Sequence, residues 1–228
     1  MENKKKVVLI GLGAVGLTYA AKLVQKSDFY VLVDRERINR YKVRKPILNG
    51  IEYDFNYILP SEKFDADVVI IATKSNGLED SISSIKNFVT ENTRIISLIN
   101  GISAEERIKT AYPNAKVLKS YFIGHSAVRK DNSVTQDGVG EIVIEQDEII
   151  EEFFKQTGIQ YSVPKDIDYA MWLKFTFNSF ANPMSAILNM NFGELKRSRI
   201  FKESAKKIVA EIYSIAQKRG IQNIENLE

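Results

Sequence analysis

A lysine that could act as an acid is followed by two asparagines at four-residue intervals near position 174. Lys174, Asn178 and Asn182 would share one face of a helix, drifting by about 40° per step. The segment around them is rich in large apolar residues, namely Trp172, Phe175, Phe177 and Phe180. A buried ammonium and two buried amides cost free energy unless they meet a polar ligand or each other. The pattern favours a lysine acid beside amides that hold a carboxylate or hydroxyl. A structural polar seam or an exposed face is the alternative.

A glycine-rich turn near the start of the chain has the pattern of a nucleotide site. It follows the apolar run 7–10 and precedes a helix-compatible run at 17–24. Gly11 permits a tight turn, Gly13 lets the backbone approach phosphates, and Gly16 lets the helix pack closely on the strand. The helix N-terminus adds free N–H groups and a partial positive charge. We expect pyrophosphate contacts from the whole turn: Gly11, Leu12, Gly13, Ala14, Val15 and Gly16. The alternative is a glycine turn that only joins a strand to a helix.

The second predicted strand, 29–33, ends at residues that could read the cofactor ribose. Asp34 follows the turn near the spacing of about 20 residues at which this pattern places its ribose-binding carboxylate. A carboxylate there favours a free 2′-hydroxyl and hence NAD, whereas the adjacent Arg35 could hold the 2′-phosphate of NADP. The residues alone leave both cofactors open.

Two further strand ends carry polar side chains. Lys74 follows the apolar run 67–72, and Asn100 follows the run 94–99. Ligands bind beyond the carboxyl ends of strands in an open parallel sheet, so we expect Lys74 to face the cofactor crevice. The Asn100 amide could contact the nicotinamide ribose or a substrate. A solvated loop lysine and a simple Asn-Gly turn are the alternatives.

The elements that would position these residues alternate between strand and helix up to about residue 163. This alternation predicts a Rossmann-type doubly wound parallel sheet. Asn49-Gly50 predicts a type I′ hairpin, and the segments 133–136 and 140–145 suggest a closing hairpin. Further helices are predicted at 35–42, 75–89, 104–111 and 148–156, and further strands at 116–122 and 159–163. From residue 167 the pattern is helical, with a helix at 168–179, a break at Asn182-Pro183 and a helix from about 196 to 219. We therefore predict a dinucleotide-binding domain at 1–166 and a helical substrate and dimerisation domain at 167–228.

Composition excludes several classes of site. The chain of 228 residues has no cysteine and one histidine, His125, which excludes disulfides, thiolate sites and multi-histidine metal sites. We assign His125 no role. A net charge of +3 does not argue for nucleic acid, and the basic residues near the end flank a regular apolar stripe. No apolar run is long enough for a bilayer, and the short N-terminal segment leaves no room for a signal peptide, so we expect a cytoplasmic protein without a membrane partner.

In combination these motifs resemble the ketopantoate reductase (2-dehydropantoate 2-reductase) family from Val7 to about Arg219. The matching pieces are the glycine turn, Thr73-Lys74, Asn100-Gly101, Leu173-Lys174 with Asn178 and Asn182-Pro183, and Gly193-Glu194-Leu195. The resemblance implies NADPH-dependent reduction of 2-dehydropantoate to pantoate, on the route to pantothenate and coenzyme A. It implies Lys174 as catalytic acid, substrate contacts from Asn178 and Asn182, and a cleft lined by Lys74 and Asn100. The family's habit favours NADP over NAD, and a homodimer through the helical domain is expected.

Two departures from the family pattern matter. Phe192 stands where the family has an asparagine before its Gly-Glu-Leu motif, so one substrate contact is in question. Family members also continue into helices that carry a substrate-binding serine and a glutamate beside the lysine. The printed sequence ends at Glu228, before either, so we expect a piece of a longer protein or a shortened homologue. A 3-hydroxyisobutyrate-type β-hydroxyacid dehydrogenase and a non-catalytic dinucleotide-binding homologue are the competing interpretations.

Overall fold

The computed structural model describes residues 4–124 and 126–221. His125, to which the sequence analysis assigns no role, lies outside the described residues. So do residues 1–3, which begin the short N-terminal segment. The chain forms two compact units, Met1–Pro164 and Lys165–Glu228. The assignment of a separate function to each stays a prediction. No helix of the described part is both long enough and apolar enough to cross a membrane.

All the strands and five of the α-helices that the structure describes lie in the first unit. The strands are β1 (Lys6–Ile10), β2 (Asp28–Leu32), β3 (Ile47–Leu48), β4 (Ile51–Glu52), β5 (Asn56–Ile58), β6 (Val68–Ile71), β7 (Arg94–Ser97), β8 (Lys116–Leu118), β9 (Ser120–Ile123), β10 (Ser126–Lys130), β11 (Ser133–Asp137), β12 (Glu141–Ile144) and β13 (Gln160–Ser162). The helices are α1 (Ala14–Leu23), α2 (Arg35–Val43), α3 (Leu78–Ser84), α4 (Ala104–Ala111) and α5 (Glu148–Thr157). A 3₁₀ turn at Ser75–Gly77 precedes α3, so the helix predicted over 75–89 is shorter than expected.

Six of these strands form one parallel sheet in the order β5-β2-β1-β6-β7-β8. The chain adds β2 and β5 on one side of β1, and then β6, β7 and β8 on the other side. The switch point therefore lies between β1 and β6, and ligands of such sheets bind there. Both faces are covered. Val7 and Leu9 pack into one core with α1 and α5, whereas Val8, between them, packs into the other with α3 and α4. The predicted doubly wound parallel sheet is confirmed.

The pairing of the shorter strands differs from the sequence prediction. The hairpin at Asn49-Gly50 is confirmed, with φ of 49° and 82° at its two turn residues. The closing hairpin between 133–136 and 140–145 is wrong. Strand β11 instead pairs with β10 and β3, and β12 pairs with β9 and β13. The reason is that the run 116–122 divides at Lys119 into β8 of the main sheet and β9, whose free edge takes β12.

The second unit is helical, as predicted for this segment. It contains α6 (Ile167–Leu188), α7 (Phe192–Leu195) and α8 (Arg199–Lys218). The predicted break at Asn182-Pro183 is wrong, because α6 runs through Pro183 without interruption. Pro183 is exposed, so water can satisfy the carbonyl that loses its backbone donor there. The helix ends at Asn189, whose φ of 50° is left-handed, and a capping box between Asn191 and Glu194 starts α7.

Candidate active site

The three glycines of the turn between β1 and α1 have different structural needs. A Cβ on Gly11 would lie 2.6 Å from the backbone of Ala72, and its φ is +101°. A Cβ on Gly16 would lie 1.9 Å from the Gly11 carbonyl oxygen. Both positions therefore require glycine for internal packing. Gly13 is different, since a Cβ there would meet nothing within 4 Å. The space above Gly13 is open, and it fits a group that must approach the backbone closely.

The N-terminus of α1 is free to bind an anion. Gly13 is its N-cap and provides no side-chain hydrogen bond to the first turn. The first N–H groups of a helix have no partner within the helix, and together they carry a partial positive charge. The turn thus combines an open backbone surface with unsatisfied donors, which is the geometry that phosphate groups bind.

A cavity of about 590 Å³ opens at this turn, within the first unit. It lies at the carboxyl ends of β1, β2 and β6, and its polar lining residues include Asp34, Arg37, Arg40, Thr73, Lys74, Asn76, Asp80, Ser81, Ser84 and Arg129. Among the predicted cofactor residues, Gly11, Leu12, Gly13, Asp34 and Lys74 line it. The others, Ala14, Val15, Gly16, Arg35 and Asn100, are not among the lining residues.

The Asp34 carboxylate caps the N-terminus of α2. Its Oδ1 accepts a hydrogen bond of 2.7 Å from the Arg37 backbone N–H, and its Oδ2 lies 2.9 Å from the Arg37 guanidinium. Arg35 is exposed and does not line the cavity. The cations that do line it on this side are Arg37, Arg40 and Arg129. The i, i+3 spacing of Arg37 and Arg40 behind a helix cap could have revealed the first two, but no local pattern points to Arg129.

The loop after β6 is held by side-chain hydrogen bonds. Thr73 Oγ1 and Ser81 Oγ are 3.0 Å apart, and Ser81 Oγ donates to the Gly77 carbonyl at 2.7 Å. This network fixes the segment that carries Lys74, whose side chain is exposed. Asn100 is also exposed, and the following Gly101 has a φ of +125°. The structure therefore brings Lys74, but not Asn100, to the lining of the cavity.

Helix α6 of the second unit carries the predicted catalytic lysine. Burial lowers the pKa of the Lys174 ammonium to about 8, from an ordinary value of 10.5. The rings of Trp172 and Phe175, on either side of it in the sequence, pack edge to face with centroids 5.7 Å apart. Asn178 is half-buried and Asn182 is exposed, so burial decreases along the predicted polar face. A desolvated lysine of this kind can exchange a proton near neutral pH.

Two family models match this chain. The family model described as ketopantoate reductase PanE/ApbA matches residues 7–148, and the corresponding C-terminal model matches residues 166–227. A 2-dehydropantoate 2-reductase of Aquifex aeolicus is 30% identical over 226 residues, which cover 93% of this chain and 73% of that protein.

Solved structures share the fold at lower identity. The ternary structure of D-mandelate dehydrogenase with NADH and anilino(oxo)acetate has a TM-score of 0.84 at 21% identity, covering 96% of this chain and 77% of the other. A dimeric ketopantoate reductase from Staphylococcus aureus has a TM-score of 0.72 at 20% identity, covering 95% and 74%. The two family models together span most of this chain, which therefore belongs to the ketopantoate reductase family of oxidoreductases.

Proposed function

We propose that this chain reduces 2-dehydropantoate to pantoate with NADPH, the reaction that leads to pantothenate and coenzyme A. The observation that carries the proposal is the glycine turn, where the open backbone at Gly13 and the uncapped N-terminus of α1 face the cavity. The burial of Lys174, which lowers the pKa of its ammonium to about 8, makes it suited to general acid catalysis. Membership of the family and the function of the Aquifex aeolicus relative support the choice of substrate.

The residues of the first unit fit a dinucleotide. In the proposed complex the open backbone at Gly13 and the uncapped N-terminus of α1 bind the pyrophosphate, and the arginines of the cavity compensate its charge. When bound, the reduced nicotinamide supplies a hydride to the 2-oxo carbon of the substrate. Lys74 lies at the cavity and is proposed to contact the cofactor. Asn100, outside its lining, is proposed to contact the nicotinamide ribose or the substrate.

Lys174 is proposed to supply the proton of the reaction. As the carbonyl carbon accepts the hydride, negative charge develops on the carbonyl oxygen, and the Lys174 Nζ donates a proton to form the hydroxyl group. Burial brings the pKa of the Lys174 ammonium close to neutral pH, which balances its protonated fraction against its acid strength. Asn178 and Asn182 are proposed to hold the substrate carboxylate or hydroxyl, and their position on the lysine's helix face supports this.

The direct test replaces the lysine. Lys174→Ala should lower kcat by roughly 10²–10⁴-fold, because removing a general acid typically costs that much. Binding of NADPH, followed by the fluorescence of the reduced nicotinamide, should stay within about twofold of wild type, since the pyrophosphate contacts are unchanged. Lys202→Ala, at an exposed position of α8, is the matched control and should keep the wild-type rate. A Lys174→Ala protein with the wild-type rate would show that the lysine has no catalytic role.

Substrate and cofactor assays separate the competing interpretations. The proposal predicts reduction of 2-dehydropantoate in preference to oxidation of 3-hydroxyisobutyrate, and tighter binding of NADPH than of NADH. A β-hydroxyacid dehydrogenase would show the reverse substrate preference. Tight NADPH binding with no turnover of any 2-oxo acid, in the longest natural form of the protein, would favour the non-catalytic dinucleotide-binding homologue.

We also propose that the second unit forms a homodimer. It exposes large apolar side chains at Phe177, Ile187, Phe192, Ile200 and Ile215, and such a group of residues is typical of an association surface. The relative from Staphylococcus aureus is described as dimeric. Light scattering should give twice the 25.9 kDa of one chain, and Ile200→Glu should shift the mass towards a single chain. A monomeric wild-type protein at high concentration would contradict the proposal.

A further inference from the structure

The sequence contains three Asn-Gly pairs, at 49–50, 76–77 and 100–101. An asparagine before glycine can lose its side-chain amide without an enzyme, because no Cβ shields the next backbone nitrogen from the side-chain carbonyl carbon. The reaction needs an asparagine side chain that can turn towards this nitrogen, and a nitrogen whose N–H is not already hydrogen-bonded. The local structure therefore decides which of the three pairs can react.

The pair at Asn49 is protected through its side chain. Asn49 Nδ2 donates a hydrogen bond of 3.2 Å to the Gln136 carbonyl, and Asn49 Oδ1 accepts one of 2.8 Å from the Gln136 backbone N–H. These two bonds hold the amide against β11. Both bonds would have to break before the side chain could turn towards the Gly50 nitrogen.

The pair at Asn76 is protected through its backbone. The Gly77 N–H donates a hydrogen bond of 2.9 Å to the Lys74 carbonyl, within the 3₁₀ turn at Ser75–Gly77. The nitrogen must lose this proton before it can attack, so the turn has to open first. The side chain of Asn76 is exposed, but its reaction partner is not available.

The pair at Asn100 has neither form of protection. It lies in the loop between β7 and α4, and both of its residues are exposed. Within the described part of the chain, no hydrogen bond holds the Asn100 amide or the Gly101 N–H. A Cβ on Gly101 would meet nothing within 4 Å, so the surroundings leave room for the peptide to rearrange.

We propose that Asn100 is a site of spontaneous deamidation. The Gly101 nitrogen gives its proton to a solvent base and attacks Asn100 Cγ, so a C–N bond forms, the Cγ–Nδ2 bond breaks and ammonia leaves. Water then opens the succinimide ring at one of its two C–N bonds. Opening at Cγ yields aspartate, and opening at the backbone carbonyl carbon yields isoaspartate. Nothing is oxidised or reduced, and either product carries one negative charge that asparagine lacks.

The consequence for activity rests on the proposed function, in which Asn100 contacts the nicotinamide ribose or the substrate. A carboxylate at this position would repel the carboxylate of a 2-oxo acid, and it could no longer donate a hydrogen bond. Isoaspartate would also add a methylene to the main chain of the loop. We therefore expect the modified protein to have a kcat/KM at least about tenfold below that of the fresh protein.

The experiment ages the purified full chain at pH 6 and pH 8.5 without ligand. Peptide mapping by mass spectrometry finds the change from amide to carboxyl at each pair, and an isoaspartate methyltransferase measures the isoaspartate formed. In the folded protein, Asn100 should react at least about tenfold faster than Asn49 or Asn76, and faster at pH 8.5 than at pH 6. In concentrated urea all three pairs should react at comparable rates, because the protection of two of them comes from the fold.

Variants connect the modification with the loss of activity. Asn100→Gln keeps an amide but would have to close a larger ring, so it should hold its own initial activity over the time in which the wild type declines. Asn76→Gln is the matched control and should age at the wild-type rate. Asn100→Asp imitates one product and should start at the activity of the fully aged protein.

The inference is overturned if Asn100 stays intact in the folded protein while it reacts in urea, or if the three pairs react equally in the folded protein. Inactivation through Asn100 is overturned if the modified protein keeps its activity, or if Asn100→Gln declines as fast as the wild type. If the fresh wild type does not reduce 2-dehydropantoate, the proposed function fails, and the peptide map still decides whether Asn100 is modified.

Discussion

Glu105 is a buried carboxyl whose replacement should stabilise the protein at alkaline pH. It lies in the first turn of α4 with 8% of its surface exposed. No other residue of the described part donates a hydrogen bond to either carboxyl oxygen. The pKa of the Glu105 carboxyl is raised to about 7, chiefly by burial and also by Glu145, against its own backbone N–H and Lys119, which lower it. The ionised form is therefore disfavoured in the folded protein.

The size and sign of the effect on stability follow from the linkage between proton binding and folding. The pKa of Glu105 rises from 4.5 in the unfolded chain to about 7 in the fold, and each unit is worth about 1.4 kcal/mol, so ionisation costs on the order of 3 kcal/mol above pH 7. Between these two values the folded state binds more protons than the unfolded state. The contribution of Glu105 to the stability of the fold is therefore greatest at or below pH 4.5, and this contribution is lost as the pH rises through 7.

Glu105→Gln removes the charge at nearly constant shape, and chemical unfolding followed by far-ultraviolet circular dichroism measures the result. We expect a gain in the free energy of unfolding of roughly 2–3 kcal/mol at pH 8.5 and less than about 1 kcal/mol at pH 5, where the carboxyl of the folded wild type is protonated. Glu106→Gln, at the exposed neighbouring position, is the control and should change stability by less than about 0.5 kcal/mol. An equal gain at both pH values, or no gain at pH 8.5, would refute the assignment of this cost to ionisation.

Three further predictions test the site and its support. Gly13→Ala should melt like the wild type and bind NADPH at least about tenfold more weakly, whereas Gly16→Ala should cost more than about 2 kcal/mol of stability in thermal unfolding, because only the second Cβ meets backbone. Asp147→Ala should cost roughly 2–4 kcal/mol in denaturant unfolding, since its half-buried partner Arg94 and the N-terminus of α5 both lose a carboxylate; stability within experimental error of wild type would contradict this. In stopped-flow assays, the reduction rate should be constant below pH 8 and should fall about tenfold per pH unit above it, as Lys174 loses its proton; a flat profile up to pH 10 would exclude it as the acid.

The sequence predicted those parts of the fold that have a strong local signal. Strand β6 is a continuous apolar run of four fully buried residues, and a strand covered on both faces must look like this. Helix α4 was predicted with its observed bounds because its apolar positions and its flanking turn agree. The strands of the two small sheets have two to five residues, and some of their partners, such as β3 for β11 and β9 for β12, lie far away in sequence. Periodicity identifies such strands but does not select a partner, so β11 was assigned to β12 instead of β10.

The same distinction between local and long-range signals applies to the residues of the candidate site. The glycine turn was predictable because strand, turn and helix are consecutive, and each glycine has a separate geometric reason that the structure now specifies. Arg35 was the natural sequence candidate for the 2′-phosphate because it adjoins Asp34. Helix geometry instead turns Arg37 and Arg40 towards the cavity, one turn apart. Arg129 could not be found from sequence, because only the folding of β10 brings it to Leu12.

The glycines of the turn and the arginines of the cavity differ in how much of the fold depends on them. Gly11 and Gly16 are fixed by backbone contacts between β1, α1 and the strand end at Ala72, so the glycine turn cannot change without disturbing the central sheet. Arg40 and Arg129 are exposed and belong to neither buried core. Replacing them alters charge at the edge of the cavity while the sheet stays intact. The charge at the edge of the cavity can therefore change independently of the backbone packing that holds the glycine turn.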